Sequence, residues 1–270
     1  MNTNDLTPVE KIEYYLGKDS LPNLHWKPEL PKMWAISARQ NTYIHQQKEH
    51  IANQTVTDPV TQTKYKFNNL GYRSDFDYTD DLKNKKVVLM LGCSDTFGRF
   101  VDYDKTYSAV LQQRMGKDYV VCNMGVPGGS PDQSVRIGTQ MIGYLGSSVT
   151  HCSLFWPGFS LREFVSKTFS AGTYVADKES VPYTDWWDHI DWVSNNYNYQ
   201  KNRLLIESVC QANGTVYSDL IVNRDDTRVP FDFMKNGTET VFGEQSHQAI
   251  AEYFYKKFTD QPSLFQTTQS

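Results

Sequence analysis

The sequence predicts an α/β protein with a central parallel sheet covered by helices on both faces. Apolar runs of strand length recur at VVLMLG (87–92), YVVCNMG (119–125) and HCSLFWP (151–157). Segments with helical periodicity separate them, TYSAVLQQRMG (106–116) and DQSVRIGTQMIGYLG (132–146). The first of these runs is continuously apolar rather than alternating, as strands buried on both faces are. A strand–helix–strand–helix–strand order needs crossover connections, and those put helices over the sheet.

Residues 1–66, rich in Asn, Gln, Lys and Pro, read as an N-terminal arm that offers a surface for protein partners. Residues 67–262 read as the folded domain and 263–270 as a tail. DFDYTDDLKNKK (75–86) is a charged connector into the first core strand, and Gly116 ends the first helix. After the third strand, LREFVSKTF is expected to be a short helix, 186–213 a long one, and TVYSDL (215–220) a fourth strand. In the closing helix, 243–258, His247, Ile250, Phe254 and Phe258 share one face at 3–4 residue spacing.

Composition narrows the function classes. With 270 residues, 39% of them apolar and 14% aromatic, the chain can bury a core, and its net charge of -4 comes without a basic stripe, so nucleic acid is not an expected partner. No stretch reaches the ~18 apolar residues of a membrane span, and the N-terminal stretch lacks the pattern of a signal peptide. The expected setting is cytoplasm or virion. Cys93, Cys122, Cys152 and Cys210 match no zinc or redox spacing, so free thiols are expected, with no metal and no cofactor.

LGCSDTFG (91–98) puts Ser94 just past the first strand, where open α/β sheets place their functional crevice. Neither the G-x-S-x-G elbow nor a Walker loop is met there. The second and third strands end in glycine- and proline-rich loops, NMGVPGGSPD (123–132) and WPGFSLRE (156–163), whose backbone N–H groups could face an oxyanion. A serine and two donor loops at consecutive strand ends form a constellation suited to acyl transfer. Trp156, Phe159, Trp186, Trp187 and Trp192 lie in or near segments that could border the crevice, as sugar-stacking platforms or simply as core. Arg162 and Glu163 are expected to form an ion pair.

With its flanks FNNLGYRSDF and VDYDKTYSAVLQQRM, LMLGCSDTFG resembles the first block of the SGNH, or GDSL-type, hydrolases. VCNMGVPGGSPDQ is similar to their second block. The resemblance spans about residues 67–258 and implies a three-layer α/β/α flavodoxin-like SGNH-hydrolase fold and, in active members, ester hydrolysis by a Ser-His-Asp arrangement. It implies Ser94 as nucleophile, and an oxyanion hole built from Ser94, Gly125 and the third-block position, here Ser160.

The sequence departs from the family pattern at several positions. Cys93 replaces the usual Asp, and Ser160 the usual Asn. Registered on the closing helix, the D-x-x-H positions fall at Thr238 and Val241, and neither can take a proton from Ser94. His247, with Glu244 three residues earlier as its orienter, imitates the missing pair but lies on the apolar stripe. His151 falls at the opposite end of the sheet, His189 in a Trp-rich helix, and His25, His45 and His50 in the arm. WPGFSLRE is similar to a segment of virus-borne relatives.

Three readings follow. The first is a non-catalytic structural or glycan-binding module, possible as a phage virion component. The second is an active serine esterase or carbohydrate O-deacetylase acting on an acylated carbohydrate or other ester through Ser94. The third is an unrelated flavodoxin-like small-molecule binder, disfavoured by the lack of a phosphate motif.

Overall fold

A computed structural model describes residues 52–58, 61–158, 162–166, 169–174, 192–221, 233–236 and 239–260. In chain order the strands are β1 (Thr55–Thr57), β2 (Lys64–Lys66), β3 (Lys86–Gly92), β4 (Tyr119–Gly125), β5 (Val149–Phe155), β6 (Arg162–Ser166), β7 (Phe169–Tyr174), β8 (Val216–Leu220), β9 (Phe233–Asn236) and β10 (Glu239–Phe242). The helices are α1 (Ser94–Phe97), α2 (Tyr107–Met115), α3 (Pro131–Leu145), α4 (Trp192–Asn213) and α5 (Glu244–Asp260).

The central sheet runs β4-β3-β5-β8, and every pair in it is parallel. All five side chains from Val87 to Leu91 are fully buried, which requires cover on both faces. Val87, Leu89 and Leu91 pack with Ile137, Met141 and Ile142 of α3 and Tyr199, Ile206 and Cys210 of α4. Val88 and Met90 turn the other way, onto Tyr107, Val110 and Leu111 of α2 and Ile250, Phe254 and Phe258 of α5. The period-2 pleat of one strand thus divides the core into two layers of side chains, with helices outside each. At about 1.5–3 kcal/mol per fully buried large apolar side chain, this strand is the centre of the fold's hydrophobic stabilisation.

Local signals set the helix boundaries. The Thr106 side chain accepts from Ala109 N at the start of α2, and Ser130 does the same from Gln133 N at α3, where Pro131 occupies the first helical turn. Gly116 follows α2 with a φ of 78°, where a side chain would be strained.

Two expectations change. LREFVSKTF is not a helix: β6 and β7 pair as an antiparallel hairpin. Phe164, Val165 and Phe169 favour a pleated surface, and nine residues are too few for helical periodicity to outweigh that. The hairpin β1–β2, in the stretch expected as an arm, places Val56 and Tyr65 in the same core cluster as Leu89 and Phe97. The part of the long helix before residue 192 lies outside the described residues, as do Phe159, Ser160, Trp186, Trp187, Thr238, His25, His45, His50 and His189.

Among the described residues, no helix is long and apolar enough to cross a membrane. All four cysteines are free thiols.

Candidate functional site

In chain order β4 follows β3 on one side, and the chain then crosses to place β5 on the other, so the strand order reverses at β3. The crevice of such a sheet opens beyond the carboxyl ends of the strands at that switch. Ser94 stands there as the first residue of α1, half-buried, and its Oγ lies 3.7 Å from Cys93 Sγ.

The turn into α1 is sharp, and Gly92 makes it. Its φ is 152°, and a Cβ would come within 2.0 Å of Thr96 Oγ1 and 2.6 Å of the Phe155 carbonyl. Gly125, at the end of β4, lets that strand abut α1, since a Cβ there would lie 2.3 Å from Phe97 N. A four-residue helix cannot hold itself in water. Its position is therefore set by what surrounds it.

Three side chains clamp it. Fully buried Arg73 donates to the carbonyls of Phe97 (3.2 Å), Gly98 and Val101 (2.7 Å). Its guanidinium carbon lies 4.7 Å from the Tyr65 ring centroid and 5.4 Å from that of Phe97. Burial pulls the Arg73 pKa down to about 10, with the Tyr65 phenol opposing, so the group stays charged at neutral pH. Asn123 Nδ2 donates to the Thr96 carbonyl (2.9 Å) and to Ser108 Oγ (3.0 Å). Tyr107 Oη donates to Thr96 Oγ1 at 2.8 Å. Arg73 ends the lead-in GYR and Asn123 opens the second glycine loop, so both were visible in the sequence, but nothing there told that they meet at α1.

The expected oxyanion donor at Gly125 is engaged elsewhere: its N–H donates to Asn123 Oδ1 at 3.0 Å. Three residues on, Gly128 has a φ of 73°, open space where a Cβ would stand, and an N–H without an acceptor among the described residues.

His247, the candidate base, has a backbone amide as a hydrogen-bond partner. His247 is fully buried on α5, its ring stacked on Tyr107 with 5.7 Å between centroids. Its Nδ1 accepts from Tyr107 N at 3.1 Å. That amide opens α2, one of the four a helix leaves unsatisfied, so His247 acts as a cap supplied by another helix. Glu244, the expected orienter, is exposed and pairs with Lys105 Nζ at 2.6 Å. This pair holds the Lys105 pKa above its usual value, the Glu244 hydrogen bond first and its charge second.

β10 reaches the serine turn instead. Phe242 N donates to Asp95 Oδ1 at 3.4 Å, placing the residue after Val241 within one hydrogen bond of the residue after Ser94. Burial lifts the Asp95 pKa to about 6, against the Phe242 amide, which lowers it. Burial also pushes the Cys93 thiol up to about 11, with Asp95 adding to it, so Cys93 is not a ready nucleophile. Trp156 belongs to the core: Nε1 donates to Asp219 Oδ2 at 2.9 Å, and the ring meets Tyr199 edge-on at 4.8 Å. Arg162 donates to Asn195 Oδ1 at 2.7 Å, while the Glu163 side chain lies outside the described residues. Among the described residues, no group of three or more His, Cys, Asp or Glu could hold a metal ion.

Asp95 and His151 predict opposed pH dependences of stability. Burial lowers the His151 pKa to about 4, so its contribution is complete above the unfolded value near 6.5 and is lost as pH falls through 4. The Asp95 pKa is raised, so its contribution is complete below the unfolded value near 3.8 and is lost as pH rises through 6. Each is worth about 3 kcal/mol at 1.36 kcal/mol per unit of pKa. Between pH 4 and 6 the two nearly cancel. Urea melts should therefore show stability rising with pH in Asp95→Asn and falling with pH in His151→Phe; parallel slopes in the two variants would exclude these assignments.

No known family profile matches the chain, and no curated protein matches its sequence. Solved structures are similar to it at low identity. One is a member of the lipolytic protein G-D-S-L family from Veillonella parvula, at 12% identity and a TM-score of 0.34, over 65% of this chain and 99% of that one. Another is an inhibitor-bound aryl esterase of M. smegmatis, at 10% identity and a TM-score of 0.33, over 65% and 99%. This chain has the parallel sheet flanked by helices on both faces that the sequence resemblance implies.

Proposed function

We propose that the chain is a non-catalytic SGNH-like module whose Ser94 crevice binds an ester or acylated carbohydrate without turning it over. The observation that carries this reading is the bond from Tyr107 N to His247 Nδ1. With Nδ1 accepting from a backbone amide, the neutral ring carries its proton on Nε2, so neither nitrogen offers a free lone pair to deprotonate a serine. The segment from which the family's base comes does approach the serine turn through Phe242, and it carries Val241 there. What remains for binding is the Ser94 hydroxyl at the start of the clamped α1 turn. On this reading, no group among the described residues takes the proton.

A serine hydrolase without its base keeps only what binding and the oxyanion hole supply, a loss of several orders of magnitude. The expected rate on p-nitrophenyl acetate is therefore that of Ser94→Ala, within about two-fold, from pH 6 to 9. A Ser94-dependent rate that rises with pH would mean that a base has been recruited, and the esterase reading would replace this one.

A further inference from the structure

The end of the sheet opposite Ser94 gathers cations. Lys85 and Lys86 enter β3, Lys117 and Asp118 lead into β4, and Ser147 and Ser148 lead into β5. β4, β3 and β5 are hydrogen-bonded neighbours, with Lys86 opposite Tyr119 and Val87 opposite Val149, so their entry loops must lie side by side. They surround an open basin of about 480 Å³, which Asn84 also lines.

Lys85, Lys86 and Lys117 are exposed, and none has a carboxylate partner among the described residues. Lys86 Nζ is steadied 5.3 Å from the Tyr119 ring centroid. Asp118 is the one carboxylate lining the basin, so three cations and one anion leave a local charge of +2. Asp80, in the preceding turn, is drawn off by the Tyr144 hydroxyl and by Lys83 at 3.8 Å. Ser148 Oγ donates to the Lys83 carbonyl at 2.5 Å, while Ser147 and Asn84 add neutral donors to the lining. Like charges around one basin repel one another, and a concave surface with an excess of one sign focuses its field. An anion with several acceptor oxygens relieves the repulsion and can meet all three ammonium groups.

We infer that this basin, remote from the Ser94 crevice, binds a tetrahedral oxyanion, the sulfate or phosphate group of a free ion or of an ester carried on a larger molecule. The full chain, titrated at low ionic strength with sodium sulfate, sodium phosphate and a sulfated oligosaccharide, tests it by the rise in Tm and by the shifts of backbone amide resonances. A saturable response centred on Lys85, Lys86, Lys117 and Ser147 is expected, weakened at least ten-fold in Lys85→Gln/Lys117→Gln and kept in Lys117→Arg. Lys64→Gln, on the exposed edge of β2, serves as the control for general charge. Tighter binding of the oligosaccharide than of sulfate would identify the ester as the source, and equal binding the free ion. A response that does not saturate, or that Lys64→Gln weakens as much as the double variant does, would overturn the proposal.

Discussion

Replacing Arg73 by methionine is expected to lower stability by about 3–5 kcal/mol, the cost of leaving three buried carbonyls unsatisfied less the guanidinium desolvation that methionine spares. The loss has a specific origin. Arg73 satisfies the carbonyls of Phe97, Gly98 and Val101, which close the turn after α1, and methionine leaves them without a donor in the core. An unsatisfied buried polar group costs about 1–3 kcal/mol. Lysine is no substitute: its single ammonium cannot span three carbonyls, nor can it lie flat against Tyr65 and Phe97 as a guanidinium does. Arg73→Lys should therefore lose at least half as much as Arg73→Met. The measurement is equilibrium urea unfolding, with amide exchange at residues 94–101 as a local probe. Protection should fall there first. A drop below about 1 kcal/mol in Arg73→Met would mean that α1 is held by Asn123 and Tyr107 alone.

The second large effect is at His247, and its sign separates a cap from a base. His247→Phe keeps a ring against Tyr107 but leaves the Tyr107 N–H buried without an acceptor, at an expected cost of about 1–3 kcal/mol. His247→Asn restores a short side-chain acceptor and should recover part of that loss. Neither substitution should change how Ser94 reacts with an acylating probe. A base would behave differently: both variants would lose Ser94 reactivity, with stability a separate matter.

The strands and helices of the sheet were legible because each carries its own signal. VVLML is apolar at every position, which only a strand covered on both faces permits, and Thr106 and Ser130 announce their helices. LREFVSKTF failed because a nine-residue segment shows too little period to separate helix from hairpin, and its β-branched and aromatic residues favour the pairing with the next strand, β7. At the site, Ser94 was legible from its place after β3. Its supports were not, since Arg73, Tyr107 and Asn123 come from three separate segments and only the folded chain brings them to one short helix. Gly125 and Gly128 illustrate the same limit, because two glycines three residues apart in one loop look alike until the Asn123 side chain takes one of the two amides. His247 was read correctly as a residue of the apolar stripe, while its partner, the first amide of α2, lies 140 residues away in sequence.

The central claim is that a well-formed serine turn has been kept without a group to activate it. Intact-mass spectrometry after incubation with a fluorophosphonate tests this most directly, because the reagent reports the nucleophilicity of Ser94 itself, independent of substrate. The wild-type chain is expected to remain unlabelled over hours, like Ser94→Ala. A stoichiometric adduct that maps to Ser94 and is absent from Ser94→Ala would contradict it.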